Sequence, residues 1–476
     1  MDHKKKTSTL FLRKDIKTDL YKKTGLEKSL TAFSLITMGV GAIVGAGIFI
    51  TPGIIAAKYA GPGAFLSFVV AAIVCSLAAL CYSEFSSTIP LAGSAYTYIY
   101  AVFGEFIAWI LGWALVSEYL FSVSAVAASW SSYFQNILAG FHWYLPEAFR
   151  AAYGTAGMPH AIFDLPAFII IMLLSFLLIG GVRESAQINA IMVILKIIVI
   201  ILFIVVGVFY IRPENYHPFL PFGMKGVVSG AAVAFYAYIG FDAVSTAAEE
   251  VKNPQKNVPL GIIGSLLIAT VLYIALSLVL VGMVKYTHLN VADPVAYALH
   301  FIHQNWVSGI VSLGAVIGMT TVLMVFLYGG TRLVFAISRD GLLPRVFSRL
   351  STKTHVPVTN TWLFGILGSF FACVIPIDKI TELVNIGTLF AFAMVSIGIV
   401  FLRRNPEFKE LDSAFKVPFY PVLPIVSFIL CVILMFELKS FTWIAFFIWL
   451  VIGLIFYFSY GYRHSVVRNR YHSENK

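Results

Sequence analysis

The sequence predicts an all-α integral membrane protein with about twelve transmembrane helices, and three observations support this fold class. Of the 476 residues, 59% are hydrophobic and only 12% are charged, whereas a soluble chain averages about 25% charged residues. Apolar runs that are long enough to cross a bilayer as helices recur along the chain. Lysine and arginine are concentrated in alternate connections between these runs, which is typical of multi-pass membrane proteins.

The predicted spans begin after a basic N-terminal arm at 1–30. The first span covers about 31–57 and the second about 63–88. The third covers about 95–138, which is longer than one bilayer crossing at about 1.5 Å per residue and predicts a tilt or a bend. After a polar loop at 140–164, further spans are expected near 165–181, 187–210, 227–249, 258–284, 306–337, 358–376, 380–402, 418–438 and 441–463.

The placement of the basic residues predicts the orientation of the chain. If the arm is cytoplasmic, the same side receives the basic groups at 331–357 and 403–416 and the tail at 464–476. The opposite side keeps isolated cations. We therefore predict that both termini are cytoplasmic and that the protein lies in the plasma or inner membrane of the cell.

Composition and residue spacing argue against several classes of protein. The cysteines, Cys75, Cys81, Cys373 and Cys431, fall in apolar runs and are predicted to be core residues rather than disulfides or zinc ligands. The histidines lack metal-ligand spacing, and no Ser/His or His/Asp/Glu set is clustered as in a membrane enzyme. The net charge of +10 belongs to the loops of a membrane protein and does not indicate nucleic acid. We predict no enzyme activity, no metal and no cofactor.

The first span contains an unusual stretch, Gly41–Phe49, with three glycines in seven positions. Glycine costs roughly 1 kcal/mol relative to alanine in a helix interior. One interpretation is a helix broken at Gly45-Ala46-Gly47, with free N–H groups that face a ligand carboxylate. The other is that the glycines let a neighbouring helix pack closely. The stretch alone favours neither interpretation.

The sixth span has a similar irregularity. In Ala234–Asp242 a glycine, Gly240, lies in mid-span, and a carboxylate follows two residues later. Interrupted spans at corresponding positions in two halves of a chain indicate a transporter binding site. The first and sixth spans are five apart and would run in opposite directions, which predicts an inverted five-plus-five repeat over about 31–211 and 226–402.

Three ionisable residues, Glu118, Lys196 and Asp242, are expected inside the bilayer, where a charge costs roughly 2.5–3.5 kcal/mol. A desolvated lysine loses its proton more readily than a hydrated one. We therefore predict that Lys196 exchanges a proton during transport, the alternative being a static ion pair with Glu118 or Asp242. For Glu118 a structural role is expected. Asp242 is expected either to cap the broken helix or to meet a cationic group of a ligand.

Five motifs follow one another along the chain, and they are Gly41–Phe49, Glu84–Tyr96, Ala234–Asp242, Ala248–Pro254 and Ser338–Pro344. Together they resemble the amino acid–polyamine–organocation (APC) superfamily, nearest to bacterial members of its cationic amino acid transporter family. The resemblance spans about residues 28–463. It implies amino acid transport by a LeuT-type fold, with ten helices of the inverted repeat at 31–402 and two extra C-terminal helices at 403–463.

The resemblance also implies the binding residues. In that family the substrate carboxylate meets backbone N–H groups at the first break, and its ammonium meets carbonyl groups at both breaks. A bulky Met324 in the eighth span would favour small or medium neutral amino acids, the alternative being that it only fills the core. The predicted substrate-binding residues are Ile43, Val44, Gly45, Ala46, Gly47, Ile48, Phe235, Tyr236, Tyr238, Asp242, Thr321 and Met324.

Further expectations come from single positions of the resemblance. Lys196 matches a lysine of proton-coupled relatives. That lysine occupies the position that a sodium ion has in sodium-coupled relatives. Ala46 stands where many relatives carry threonine or serine, so backbone contacts must suffice there. Arg332 is a candidate to pair with Glu84 or Glu249 as an inner gate, with a solvated or lipid-facing role as the alternative.

The sequence therefore predicts a proton-coupled importer of neutral, small to medium amino acids that works by alternating access. Its expected partners are the amino acid, protons and the lipid bilayer, and a small accessory membrane subunit or a lipid is left open. The proton gradient is its expected energy source. The alternatives are a cationic amino acid transporter or exchanger, a sodium-coupled transporter and an amino acid sensor.

Overall fold

The computed structural model describes residues 9–14, 30–90, 93–155, 157–180, 186–246, 248, 251–354, 356–409 and 414–474. Within these residues the fold is all-helical, and its one β-type pairing is an isolated bridge between Leu30 and Val251. Its longer α-helices are α1 (Ala32–Ile43), α2 (Ala46–Ile55), α3 (Ala64–Thr88), α4 (Ser94–Phe103), α5 (Glu105–Gly140), α6 (Leu165–Ile179), α7 (Ala186–Val208), α8 (Gly223–Ala234), α9 (Pro254–Met283), α10 (Pro294–Phe301), α11 (Asn305–Arg339), α12 (Val358–Val374), α13 (Ile377–Arg404), α14 (Val422–Phe436), α15 (Ser440–Phe456) and α16 (Val466–Glu474).

The first predicted span consists of two helices. α1 ends at Ile43 and α2 begins at Ala46, and between them Val44 and Gly45 leave the helical conformation. The break lies slightly before the predicted Gly45-Ala46-Gly47 position, because Ala46 and Gly47 form the first turn of α2. The glycine-rich stretch therefore interrupts the helix, as the first of the two interpretations requires.

The sixth predicted span is interrupted as well. α8 ends at Ala234, a 3-10 turn covers Phe235–Tyr238, and Ile239 is extended. Gly240 then adopts φ = +120°, which favours glycine, and a short helical turn follows at Ala243–Thr246. The chain thus crosses the middle of this span without regular helical hydrogen bonds.

The prediction that one helix forms the third span is wrong. α4 and α5 are separate helices that meet at Gly104, whose φ is +90°. A Cβ at Gly104 would lie 2.5 Å from the carbonyl oxygen of Phe11, so the junction requires both the conformational freedom and the small size of glycine. The tilt or bend expected from the length of the apolar run is in fact a complete break.

The described residues contain eight helical stretches that are long and apolar enough to cross a membrane, together with the shorter apolar helices α1, α6, α12 and α14. This is the pattern of a multi-pass membrane protein. The long helix α5 packs against α11, α12 and α13. α9 packs against α1 and α3, and α1 also contacts α7. The two interrupted segments lie among these helices.

The described N-terminal segment 9–14 and the tail helix α16 both contact the start of α5. The backbone N–H of Glu105 donates to Leu12 O at 3.0 Å, and Arg468 of α16 donates to the Glu105 carboxylate at 2.8 Å. Lys14 lies 2.9 Å from the carboxylate of Asp340, just after α11.

The helices α10 and α16 are additions to the predicted set, and residues 1–8 and 15–29 of the predicted arm lie outside the described residues.

Candidate functional site

The two interrupted segments meet backbone to backbone. A Cβ on Gly47 would lie 2.4 Å from the Cα of Ala237, and one on Gly240 would lie 2.9 Å from the carbonyl carbon of Ala42. A side chain at either glycine would force the segments apart. The glycines therefore serve close packing as well as the break, so the two interpretations of the first stretch are compatible.

The end of α1 presents carbonyl groups that the break deprives of helical partners. The Lys196 ammonium donates to Gly41 O at 2.8 Å. The Tyr273 hydroxyl lies 2.8 Å from Ile43 O and 2.7 Å from Ala237 O. One tyrosine hydroxyl thus joins the two interrupted segments, while a lysine binds the end of α1.

Lys196 is fully buried in α7. Its ammonium meets the C-terminal end of α1, where the helix dipole favours a cation. Its aliphatic stem packs on Gly318 of α11, where a Cβ would lie 3.0–3.3 Å from three carbons of the stem. The predicted proton-coupling lysine therefore contacts both α1 and α11 from α7.

The start of α2 presents backbone N–H groups to the same region. Gly45 precedes the helix without a side-chain cap, and the first N–H groups of any helix have no partner within it. These groups and the helix dipole favour an anion. Val44, Ala46 and Ile48 are buried around this end, and a Cβ at Gly45 would lie 3.0 Å from a methyl carbon of Val322.

The second interrupted segment contributes three aromatic side chains. Phe235 is fully buried and packs edge-to-face on Phe392, with the ring centroids 5.5 Å apart. The Tyr238 hydroxyl donates to Phe68 O at 3.1 Å. The Tyr236 hydroxyl is buried and has no hydrogen-bond partner among the described residues. Tyr236 is therefore the member of this set with unused hydrogen-bonding capacity.

Two carboxylates lie buried near the second break. Asp242 is buried and directly precedes the short helical turn Ala243–Thr246, which is the position of a cap on the second half of the span. Glu118 of α5 interacts electrostatically with Asp242. A Cβ built on Gly387 would lie 3.6 Å from the Cβ of Glu118. One carboxylate oxygen of Glu118 has no hydrogen-bond partner in the described part of the chain.

The two residues predicted to set selectivity lie on α11 near the first break. Thr321 is buried, and its hydroxyl donates to Gly318 O within the helix at 2.8 Å. Met324 is half-buried. Val322 is the α11 side chain that packs on Gly45. The roles of Thr321 and Met324 in selectivity stay predictions.

The structure pairs Glu84 with Arg403 and not with Arg332. Arg403 donates two hydrogen bonds of 2.6 Å to the Glu84 carboxylate, because α13 brings this arginine to the end of α3. The Arg332 guanidinium instead lies 5.0 Å from the centroid of the Tyr328 ring. Glu249, the other candidate partner of Arg332, lies outside the described residues.

Four residues at the breaks are absent from the predicted set. Tyr273 and Val322 stand in apolar runs and carry no signal in the sequence that separates them from core residues. Gly318 and Asn385 do carry one, because a mid-span glycine indicates close packing and a mid-span amide needs a partner. Asn385 is buried, and its side-chain N–H donates to Ala232 O at 2.8 Å.

Two cavities help to define the site. The larger, of about 250 Å³, is lined by Gln135, Arg150 and Asp164 and lies away from the breaks, beneath the 140–164 loop. The smaller, of about 30 Å³, is lined by Thr51 of α2, by Tyr236 and by other residues. We place the candidate site at the breaks, despite the smaller cavity there, because backbone groups of opposite polarity converge on that point.

The arrangement can hold a zwitterion. An anionic group fits the N–H groups at the start of α2, and a cationic group fits the carbonyl groups at the end of α1 and in Phe235–Tyr238. Within the described residues, no three His, Cys, Asp or Glu side chains are grouped to bind a metal ion.

Known proteins resemble this chain over most of its length. The family model described as amino acid permease matches residues 30–458. The chain is 49% identical to the methylthioribose transporter of Bacillus subtilis (strain 168) over 462 aligned residues. This alignment covers 97% of this chain and 99% of that protein. It is 47% identical to the branched-chain amino acid permease BcaP of the same organism over 462 aligned residues. This alignment covers 96% of this chain and 98% of that protein.

More distant relatives carry a different name. The chain is 38% identical over 390 residues to the vacuolar cationic amino acid transporter 4 of Arabidopsis thaliana, which covers 80% of this chain and 64% of that protein. Because all of these relatives are named as transporters or permeases, the prediction that the chain is not an enzyme is confirmed. The resemblance drawn from the five motifs is confirmed as well: the chain belongs to the amino acid permease family of the APC superfamily.

Proposed function

We propose that this permease imports amino acids together with protons by alternating access. The observation that carries the proposal is the buried Lys196 ammonium, which donates to Gly41 O at the end of α1. When protonated, Lys196 places a positive charge at the negative end of the α1 dipole and holds α1 against α7. Loss of the proton removes this attraction, so α1 is released and the site opens towards the cytoplasm.

The substrate in this proposal is a neutral amino acid of small to medium size. Its carboxylate binds the N–H groups of Gly45, Ala46 and Gly47, and its ammonium binds the carbonyl groups of Ile43 and Val44 and of Phe235–Tyr238. Buried apolar side chains surround this point. The substrates named for one relative, branched-chain amino acids, are neutral and support this class.

Cationic amino acids are the second candidate substrates. The buried carboxylates of Glu118 and Asp242 favour them, and distant relatives are named as cationic amino acid transporters. However, Asp242 directly precedes the helical turn Ala243–Thr246, where a carboxylate caps the first N–H groups. Because a carboxylate engaged as a cap is less available to a ligand cation, we rank neutral substrates first.

The proposal includes an orientation and a symmetry. Ten of the twelve spans form an inverted repeat over 31–211 and 226–402, and the other two spans lie at 403–463. Both termini lie on the cytoplasmic side of the cell membrane. The meeting of two interrupted segments supports the repeat, since inverted repeats bring their broken helices together. The distribution of lysine and arginine along the chain supports the orientation.

The test is uptake of radiolabelled alanine into proteoliposomes with an acid-outside pH gradient and no sodium. We expect accumulation by the wild type and its loss in Lys196→Ala, because that variant removes the proton carrier. Lys285→Ala is the matched control, since Lys285 is exposed in a connection. Neutral amino acids are expected to compete with alanine, and arginine is not.

Three results would contradict parts of this proposal. Uptake that ignores the pH gradient and requires sodium would refute the role of Lys196. Equal loss in Lys196→Ala and Lys285→Ala would show that the defect is not specific to the buried lysine. Competition by arginine or lysine and not by neutral amino acids would replace the neutral substrate class by the cationic one.

A further inference from the structure

An ion pair attaches the N-terminal segment 9–14 to the end of α11. The Lys14 ammonium donates to both carboxylate oxygens of Asp340, at 2.9 and 3.2 Å. The Tyr96 hydroxyl of α4 donates to the same carboxylate at 3.0 Å, and Tyr96 is almost fully buried. One carboxylate therefore joins three parts of the chain, which are the N-terminal segment, α4 and α11.

A second carboxylate repeats this arrangement one turn further along α4. Tyr100 follows Tyr96 with the ring centroids 5.8 Å apart, and its hydroxyl donates to Glu105 at 3.1 Å. The cation on Glu105 is Arg468 of the tail helix α16, at 2.8 Å. Two tyrosine hydroxyls thus hold α4, and each accepting carboxylate is neutralised by a cation from a different end of the chain.

The start of α4 contacts the second interrupted segment. The hydroxyl groups of Ser94, the first residue of α4, and of Ser245 share a hydrogen bond of 2.9 Å. Ser245 is fully buried in the helical turn Ala243–Thr246, which follows the break. The helix α4 therefore links this segment to both ends of the chain.

The two attachments of α4 differ in how easily they separate. The Arg468 and Glu105 side chains are 5% and 0% exposed, and separating such a pair leaves a buried charge without a partner. The Lys14 and Asp340 side chains are 15% and 11% exposed. Because solvent reaches both of these groups, water can replace each partner when the pair opens. The Lys14 attachment is therefore the one suited to repeated opening.

We propose that Lys14 is a positioning residue for transport, which holds α4 against the second interrupted segment and keeps the site closed on the side of the chain ends. Separation of Lys14 from Asp340 frees the start of α4, and the site then opens on that side. This inference rests on the proposed function, in which that side is the cytoplasm and the amino acid leaves there. It adds a control of release that lies outside the amino acid site.

Labelling of a buried cysteine measures this opening. Ala248 lies just after the helical turn and is 1% exposed, and Ala248→Cys places a thiol there. The four native cysteines are buried, and the protein without this substitution gives their background. In detergent we expect Lys14→Glu to raise the rate of maleimide labelling at position 248 about fivefold, as for the loss of a partly exposed ion pair. Arg13→Glu is the matched control, because it makes the same change of charge at the neighbouring, exposed residue.

Exchange of the two charges separates the ion pair from a general disturbance. Lys14→Glu with Asp340→Lys restores the attraction, and an ammonium at position 340 can donate to the Tyr96 hydroxyl. We expect this double variant to label at close to the wild-type rate. Tyr96→Phe alone is expected to raise labelling, and Lys14→Glu is expected to add little to it, because both changes remove one connection to α4. Melting temperatures show whether each variant is folded.

Equal labelling in Lys14→Glu and Arg13→Glu would overturn the inference, and so would labelling that stays raised in the charge-exchanged variant. Additive effects of Lys14→Glu and Tyr96→Phe would show that Lys14 does not act through α4. Uptake of alanine driven by the pH gradient, with no difference in labelling, would retain the proposed function and reject this inference. The labelling difference without pH-driven uptake would instead retain the role of Lys14 and reject the proposed transport mechanism.

Discussion

Single polar side chains replace the helical hydrogen bonds that are lost at the breaks. In a membrane, carbonyl groups that leave a helix must find partners within the protein. Lys196 supplies a donor to Gly41 O, and Tyr273 supplies one to Ile43 O or Ala237 O. These two residues come from α7 and α9, so the geometry of the candidate site depends on helices distant in sequence from the broken ones.

At the residue scale, Asp164 makes stability depend on pH. Its carboxylate precedes α6 and accepts from Ala167 N at 3.1 Å and from Ser131 Oγ at 2.6 Å. Burial raises its pKa from 3.8 to about 7. Because the folded state binds this proton more tightly than the unfolded state, the stabilising contribution is complete below about pH 4 and is lost as the pH rises through about 7.

We expect Asp164→Asn, which keeps an oxygen acceptor for the cap, to reduce the loss of stability between pH 5 and pH 8. The substitution reduces the pH dependence of the free energy of unfolding by at most about 1.4 kcal/mol per pH unit. Thermal unfolding of the purified protein in detergent at the two pH values measures the effect. Glu214→Gln alters an exposed carboxylate and is the control. The same pH slope in Asp164→Asn and in the wild type would refute the assignment.

At the scale of elements, α7 and α11 meet through a lysine stem and a glycine. A Cβ at Gly318 would lie 3.0–3.3 Å from three carbons of the Lys196 side chain, closer than ordinary contact. The first interrupted segment depends on the position of that side chain, because its ammonium binds Gly41 O. The contact between α7 and α11 therefore controls a bond to α1.

We expect Gly318→Ala to displace Lys196 and to lower pH-driven uptake by about tenfold, as for a packing cost on the order of 1–3 kcal/mol. Gly309→Ala is the matched control on the same helix, because a Cβ there meets no atom within 4 Å. The control is expected to keep wild-type uptake and to gain up to about 1 kcal/mol in stability from its helix propensity. Initial uptake rates and melting temperatures distinguish the two, and equal uptake in both variants would contradict the packing argument.

At the scale of the whole molecule, a buried ion pair attaches the tail helix α16 to the bundle. The Glu105 carboxylate is fully buried and accepts from Arg468 at 2.8 Å, from Tyr457 at 3.0 Å and from Tyr100 at 3.1 Å. Arg468 is almost fully buried itself. The pair lies where α4 ends and α5 begins, so the end of the chain stabilises a junction near its start.

Arg468→Met is expected to destabilise the protein by about 3–5 kcal/mol, because it leaves the Glu105 charge buried without its cation. Arg470→Met removes an exposed arginine two residues further along the same helix and is expected to have little effect. Thermal unfolding in detergent measures both variants. A melting temperature of Arg468→Met equal to that of Arg470→Met would show that α16 does not support the junction.

The sequence by itself determined the class of the protein and the regions of the site. Hydropathy, charge placement and the glycines of Gly41–Phe49 and Ala234–Asp242 are local properties of the chain. They predicted a helical membrane protein with interrupted first and sixth spans and a buried Lys196. These features were readable because a bilayer penalises every unpaired backbone group and every charge at the position where it occurs.

The tertiary structure decided which residues complete the site. Tyr273 and Val322 look like ordinary members of apolar spans, and the pairing of Glu84 with Arg403 joins residues far apart in the chain. The complete break at Gly104 depends on the backbone of Phe11, which approaches from the N-terminal segment. Such contacts depend on how helices pack, and a local pattern does not specify which distant side chain fills a gap, so only the folded chain identifies the partners.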